Sequence, residues 1–279
     1  MSLNEKIDRM IAEELGRNQP ACNWCWVCPD CQSAVVEGMV GHGATRVGAG
    51  PDMKKLNGAL GEYIDHTLLK ADATRNQIEK ICREALEYHF ASVCVNSCWV
   101  PLCAELLGNT DVTVCTVVGF PLGAMHPQAK AAETEIAYGQ GAREIDMVVN
   151  VGLLKSGDYD GVRDDIAGVV RAAKSASVKV ILETCYLTDD EKIKGCILSM
   201  EADAHFVKTS TGFGTGGATV GDVALMRRVV GPTMGVKASG GIRSSEIAKE
   251  MIEAGATRLG ASAGIEIVRG KQPAAGSGY

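Results

Sequence analysis

The chain has 279 residues, the usual size of a single α/β barrel, and its 46% hydrophobic content is enough for one large core. With 33 glycines and only 5% aromatic residues, it suits aliphatic layers and tight connections better than a β-sandwich. A net charge of −6 with no basic stripe argues against a nucleic-acid footprint, and no apolar run approaches the ~20 residues a membrane helix needs.

The first residues, MSLNEKIDRMIAEE, are acidic and amphipathic, unlike a secretory signal, so the expected compartment is the cytoplasm. Over residues 3–16, Leu3, Ile7, Met10, Ile11 and Leu15 fall on one helical stripe, with Glu5, Lys6, Asp8, Arg9 and Glu13 elsewhere. Gly16 and Pro20 end it. The run CNWCWVCPDC then places Cys22, Cys25, Cys28 and Cys31 at C-x2-C-x2-C-x2-C spacing. Four soft ligands suit zinc or an iron–sulfur cluster. The spacing matches neither the ferredoxin run, which has x3 before its last cysteine, nor the longer loop of a zinc knuckle. Four ligands within ten residues are sterically tight, so sharing with another subunit is one solution and metal-free or redox-active thiols are the alternative. GMVGHGATRVGAG reads as a flexible linker, making residues 1–55 an N-terminal extension with a helix, a cysteine-rich knuckle and a tether. The other seven cysteines (Cys82, Cys94, Cys98, Cys103, Cys115, Cys185 and Cys196) are scattered and read as buried thiols rather than a disulfide framework.

From residue 56 the pattern alternates strand and helix. Strand-like runs occur at EYIDHTLL, ASVCVN, DVTVCTVV, REIDMVVN, VKVILET, AHFVKTS, MGVKAS and TRLGAS. Helical stretches such as NQIEKICREALEYH, PQAKAAETEIAYGQ, VGDVALMRRVV and SSEIAKEMIEAG lie between them. Eight such units over residues 56–270 predict a (β/α)8 TIM barrel, with 271–279 as a flexible tail. An open doubly wound sheet is the alternative. It usually starts with a GxGxxG turn after the first strand, where this chain has HTLLKADAT.

Charged residues interrupt several of these apolar strands: Asp65 in the first, Asp146 in the fourth, Lys208 in the sixth and Lys237 in the seventh. A structural ion-pair network inside the barrel is one reading. Catalysis is the other, because two neighbouring lysines disfavour each other's ammonium form and a neutral amine is what imine formation needs. Glycine-rich loops follow: TGFGTGG after Lys208, SGG after Lys237 and GASAG after strand eight. Backbone N–H groups in such loops can hold a phosphate, and plain βα turn chemistry is the alternative. The histidines (His42, His66, His89, His126 and His205) form no HxH or HxxxH pair and read as structural.

The blocks YIDHTLLKADAT, ASVCVNSCWV, VVGFPLG, EIDMVVNVGLLKSGDY, FVKTSTGFGTGGAT, VKASGGIR and GASAGIEIV together resemble the deoxyribose-phosphate aldolases, in one register over roughly residues 57–270. The resemblance implies metal-independent retro-aldol cleavage of 2-deoxy-D-ribose 5-phosphate to acetaldehyde and D-glyceraldehyde 3-phosphate. It makes Lys208 the imine-forming lysine, Lys237 the lysine that tunes it and Asp146 the carboxylate that shuttles protons with an ordered water. Asp65 and Thr67 would shape the site and support the lysines, and Cys94 would lie near the aldehyde pocket unless it serves packing alone. Tyr279 resembles the terminal tyrosine that reaches the site in some members. Phosphate binding would fall to Gly212, Gly214, Gly240, Gly241, Gly260 and Ser262, with Ala263 standing where some relatives have a second serine. A homo-oligomer, dimer or tetramer, is expected. The helix and linker of the extension resemble the encapsulation peptides that dock enzymes to bacterial microcompartment shell proteins, an ordinary oligomerisation helix being the alternative. Two other functions compete. One is a Schiff-base aldolase for another phosphorylated sugar or a 2-keto acid, and the other is a cysteine-cluster adaptor with a vestigial barrel.

Overall fold

The computed structural model describes residues 60–270, together with Arg9. The cysteine cluster Cys22–Cys31, the helix expected over 3–16, the linker and the tail carrying Tyr279 lie outside the described residues.

All eight strand-like runs form strands: β1 Ile64–Leu68, β2 Ser92–Val95, β3 Thr113–Val118, β4 Glu144–Val148, β5 Ser177–Ile181, β6 Phe206–Lys208, β7 Gly235–Ser239 and β8 Arg258–Ala261. Each pairs in parallel with the next, and β8 returns to β1 to close the barrel, so no sheet edge is left open. The (β/α)8 architecture expected from the sequence is the observed one.

The helices form a sheath around the barrel because their apolar residues repeat at helical spacing while their starts are capped. Helix α1, Arg75–Glu87, turns Ile78, Ile81, Cys82 and Ala85 inward and begins with a Thr74–Gln77 capping box. Burying its two isoleucines contributes roughly 1.5–3 kcal/mol each before ordering entropy is charged. Helices α2, Val100–Leu107, and α3, Pro127–Gly139, follow β2 and β3, each with proline in its first turn. Two helices, α4 Val151–Lys155 and α5 Tyr159–Ala173, connect β4 to β5 and start at Asn150 and Asp158 caps. Next come α6 Asp189–Glu201, α7 Val220–Val230, α8 Ser245–Glu253 and the short α9 Gly264–Arg269. None of the helices among the described residues is long and apolar enough to cross a membrane.

The register sorts the inward side chains into tiers. Asp65 pairs with Ser92 and Thr67 with Cys94, then Cys94 with Cys115 and Cys115 with Glu144. Asp146 pairs with Lys179, Ile181 with Lys208, Lys208 with Lys237, and Lys237 with Arg258. Because side chains alternate along a strand, these residues share the interior face. Ser92, Glu144, Phe206 and Arg258 make the lowest of these tiers. Asp65, Cys115, Lys179 and Lys237 lie above it, then Cys94, Asp146, Lys208 and Gly260. Thr67, Val117, Ile181 and Ser239 lie nearest the C-terminal mouth. Layers of four from alternate strands are the normal filling of this barrel, but here three of them carry charge instead of branched aliphatics alone.

The scattered cysteines follow the buried expectation at five positions. Cys98 is exposed and Cys185 is half-buried, because both lie on short 3-10 turns after strands rather than inside the barrel or its helix seam. Three of the described histidines make structural contacts. His66 pairs with Glu84 at 2.7 Å, His126 accepts from the Gln128 N–H in capping α3, and His205 accepts from the Val178 N–H at 3.1 Å.

Candidate active site

Lys208 is the last residue of β6, so its side chain leaves the barrel wall close to the C-terminal mouth. Its Nζ donates to Asp146 Oδ2 at 2.7 Å, and Lys237 Nζ donates to the same oxygen at 2.7 Å. The two lysines are register partners and share one carboxylate oxygen. The other oxygen, Oδ1, accepts from Lys179 Nζ at 2.9 Å and from the Cys115 thiol at 3.2 Å. Asp65 reaches Lys237 at 2.5 Å and Arg258 at 2.7 Å. Glu144 binds Lys179 at 2.5 Å and Arg258 at 3.1 Å. Asp65, Asp146, Lys179 and Lys237 are fully buried, and Lys208 is 3% exposed.

This is an ion-pair network, as one reading of the sequence has it, and it also gathers the groups that the other reading assigns to catalysis. Burial opposes the charged form of every member, so the charges persist only through one another. For Asp146, burial alone would raise the carboxyl, but Lys179, Lys208 and Lys237 hold it well below the usual carboxylate range. Asp65 is held low in the same way by Lys237, Lys179 and Arg258. Burial would lower the Lys237 ammonium, yet Asp146 and Asp65 more than offset this and keep it above the usual lysine value. Lys179 is raised against the same burial cost by Asp146, Cys115, Glu144 and Asp65. The carboxylate between the lysines therefore leaves Lys237 a fixed positive charge beside Lys208.

The remaining candidates divide. Cys94 lies in this chamber, its sulfur, that of Cys115 and an Asp146 oxygen all within 4.8 Å of one another. A hydrogen bond with Cys115 draws the Cys94 thiol down, while burial and that same bond push Cys115 well up. The Thr67 hydroxyl donates to the Asp65 carbonyl at 2.8 Å, so it connects to the lysines only through the β1 backbone. Tyr279 and the four clustered cysteines lie outside the described residues.

At the mouth the glycine runs fold onto one another. Ala218 N–H donates to the carbonyls of Ser239 and Gly240, both at 3.0 Å, which lays the end of the β6–α7 loop on the turn after β7. A Cβ on Gly217 would come within 2.3 Å of the Gly240 carbonyl oxygen, so only glycine permits this approach. Gly212, Gly240 and Gly241 all have positive φ, near +80° to +90°. Ser262 is exposed just beyond β8. Gly260 stands apart from these loops: it is in β8, and a Cβ there would lie 2.9 Å from Ser239 Cβ and 3.1 Å from Lys237 Cε. Its lack of a side chain clears the path of the lysine.

Several site residues escape the sequence reading. Lys179, Glu144, Arg258 and Cys115 belong to the cluster, and the available signal is parity. Glu144 is two residues before Asp146, and a lysine inside the apolar run VKVILE is itself an interruption. Glu183 is a further case. It is buried, has a left-handed backbone (φ +55°) and accepts from the Thr211 N–H at 3.3 Å and from the Thr211 hydroxyl, tying the loop after Lys208 to the end of β5. Nothing local in the sequence marks that bond.

Comparison with known proteins agrees with this geometry. The family model described as "DeoC/LacD family aldolase" matches residues 61–272. A deoxyribose-phosphate aldolase from Streptococcus suis is 63% identical over 76% of this chain and 97% of its own length. Among solved structures, a putative deoxyribose-phosphate aldolase from Coccidioides immitis superposes with a TM-score of 0.77 at 40% identity, covering 96% of this chain and 97% of that one. The tetrameric deoxyribose phosphate aldolase from Aeropyrum pernix superposes with a TM-score of 0.72 at 32% identity, covering 86% of this chain and 97% of that one. A barrel with lysines paired across one carboxylate and a match spanning nearly the full length of these relatives lead to one assignment: the chain belongs to the DeoC/LacD family of aldolases.

Proposed function

We infer that this chain reversibly cleaves 2-deoxy-D-ribose 5-phosphate to acetaldehyde and D-glyceraldehyde 3-phosphate through an imine on Lys208. The observation that carries this reading is the single oxygen, Asp146 Oδ2, that accepts from both Lys208 and Lys237 inside the barrel.

The chemistry follows from the arrangement. Lys208 Nζ adds to the C1 aldehyde, and loss of water leaves a protonated imine. As the C3 hydroxyl gives up its proton, the C2–C3 bond breaks and its electron pair moves into the imine to form an enamine, releasing D-glyceraldehyde 3-phosphate. Protonation at C2 and hydrolysis then return the amine and acetaldehyde. The iminium supplies the electron sink, so no step calls on a metal. Asp146 stays ionised against burial and touches the reacting amine, which suits it to pass protons between Lys208, the carbinolamine oxygen and an ordered water. Lys237 and Asp65 keep a positive charge beside the amine, with Thr67 bracing β1. Cys94, with its sulfur within 4.8 Å of an Asp146 oxygen, would border the small-aldehyde end of the substrate. Backbone donors at Gly212, Gly214, Gly240 and Gly241, with Ser262, would take the phosphate, while Gly260 leaves space for Lys237. Tyr279, at the end of the tail, is the candidate for proton exchange at C2.

Borohydride trapping with deoxyribose 5-phosphate, followed by peptide mapping, tests the assignment. The expected adduct is on Lys208, and an adduct elsewhere or none overturns it. Profiling other phosphorylated sugars and 2-keto acids in the same assay tests the substrate assignment.

Residues 1–55 are proposed as an accessory segment, with residues 3–16 docking to a microcompartment shell protein and Cys22, Cys25, Cys28 and Cys31 as zinc or iron–sulfur ligands. Enclosure would suit an enzyme that releases a volatile, reactive aldehyde. Deleting residues 1–50 is expected to leave kcat/KM unchanged while abolishing shell association and metal content in anaerobically purified protein. Unchanged co-purification with shell proteins sinks the docking role, and metal-free full-length protein sinks the ligand role. A homo-oligomer, dimer or tetramer, is proposed as well, with the tetrameric Aeropyrum pernix relative as support.

A further inference from the structure

The buried cluster extends well below the reacting amine. Glu144 and Arg258 lie one tier further from the mouth than Asp65 and Lys179, and among the described residues the ion pairs of Glu144, Lys179 and Arg258 run to one another, Asp65 and Asp146, with Cys115 beside Lys179. Lys179 is fully buried and contacts Glu144, Asp146 and Asp65, the longest of these pairs at 3.5 Å. The Phe206 ring lies beneath, 6.0 Å from Lys179 Nζ and 5.7 Å from the Arg258 guanidinium. Substrate entering from the C-terminal mouth meets Lys208 and Asp146 first.

The charges of this closed set do not balance when every member is ionised. Three carboxylates, Asp65, Glu144 and Asp146, face four cationic groups: Lys179, Lys208, Lys237 and Arg258. With all four charged, the cluster carries one positive charge in excess, which is costly inside a barrel. An arginine does not release its proton in a protein. Lys179 has three carboxylates around it, and Lys237 is wedged between Asp65 and Asp146. Among the described residues Lys208 has one carboxylate partner within hydrogen-bond distance and must share that oxygen. Discharging Lys208 makes the cluster electroneutral and leaves every other cation with its partners.

We propose that Lys179, Glu144 and Arg258 are positioning residues that set the charge balance of the cluster, so that Lys208 is the amine that gives up its proton. The proposal rests on the imine reading above and extends it to groups that never touch substrate. The titratable groups that share the barrel interior with Lys208 come from every other strand: Asp65 on β1, Cys94 on β2, Cys115 on β3, Glu144 and Asp146 on β4, Lys179 on β5, Lys237 on β7 and Arg258 on β8. In this set Lys179, Glu144 and Arg258 can be altered without removing a hydrogen bond to Lys208.

Opposite changes of charge at these three positioning residues should move the pH dependence of imine chemistry in opposite directions. A suitable readout is enzyme-catalysed exchange of the acetaldehyde methyl protons with deuterium, followed by NMR against pD. It needs the imine and enamine but no phosphate, so substrate ionisation does not enter. Lys179→Met removes the excess charge and is expected to move the acidic limb of the profile up by about one to two pH units, the scale of a unit charge at this range in a protein interior. On the acidic side of the limb the rate at a fixed pH would then fall ~10-fold or more, with recovery at high pH. Glu144→Gln adds to the excess and should move the limb down by a similar amount. Lys179→Arg keeps the charge and should leave the limb in place, and Cys94→Ser should leave it too, showing that it does not belong to the thiol.

Should Lys179→Met not accumulate as folded protein, Arg258→Met removes the same charge at a side chain that is 17% exposed. Limbs that move in the same direction, or not at all, in the charge-changing variants overturn the proposal, as does loss of the limb in Cys94→Ser. Borohydride trapping of each variant with acetaldehyde separates the two readings. An adduct on Lys208 with unmoved limbs sinks the charge-balance proposal alone, whereas no adduct on Lys208 in the wild type sinks the imine assignment itself.

Discussion

Lys208→Met is expected to reduce kcat/KM for deoxyribose 5-phosphate by roughly 10⁴-fold or more, the scale of losing a covalent nucleophile. Borohydride should then trap no adduct. The fold should survive, because Met fills much of the volume of the lysine stem and leaves Asp146 with Lys179 and Lys237 as partners. This separates nucleophile from scaffold: a thermal midpoint near that of the wild type with activity gone is the expected pair of results. Retention of more than about a hundredth of the activity would place the imine elsewhere, and Lys237 would be the first alternative to map.

Replacing Asp146 should cost stability as well as rate. It is the shared acceptor of Lys179, Lys208 and Lys237, so Asp146→Ala leaves Lys179 with Asp65 and Glu144, Lys237 with Asp65, and takes from Lys208 its carboxylate partner. Removing one partner of a buried ion pair typically costs about 3–5 kcal/mol, a large share of the 5–15 kcal/mol that holds a typical domain folded. Asp146→Asn keeps the shape and one acceptor, so it should fold more readily while losing kcat by about 10²–10⁴-fold through the broken proton path. Near-wild-type kcat in Asp146→Asn would remove the carboxylate from that path.

The same carboxylate predicts the direction of acid sensitivity. Asp146 and Asp65 are depressed in the folded state, so their contribution to stability is complete above the ordinary carboxylate value, about pH 4, and is lost as the pH falls below it. Urea midpoints measured between neutral pH and about pH 3 should therefore fall less steeply for Asp146→Asn than for the wild type, although it starts lower.

How legible the site is in sequence depends on the range of the interaction. Lys208 and Lys237 stand out because each interrupts a short apolar run and is followed by glycines, a local pattern. Asp65 and Asp146 stand out for the first reason. Lys179 interrupts a strand as well, but its meaning depends on Glu144, Asp146 and Asp65, which come from two other strands far away in the chain. Glu183 is less legible still: its role comes from a left-handed turn that aims its carboxylate at Thr211. Gly260 looks like one more loop glycine until the closed barrel places the Lys237 stem against it.

Alternating hydrophobicity, capped helices and the order of strand and helix determine the barrel, because each is a short-range property of the chain that closure then repeats eight times. The family blocks likewise identify Lys208, since each is a contiguous string. Only the tertiary structure decides that one oxygen of Asp146 serves both lysines, and that four cations share three carboxylates beneath the mouth. Charge balance is a sum over the residues that closure brings together, and in the linear order those residues run from Asp65 to Arg258, almost the length of the barrel.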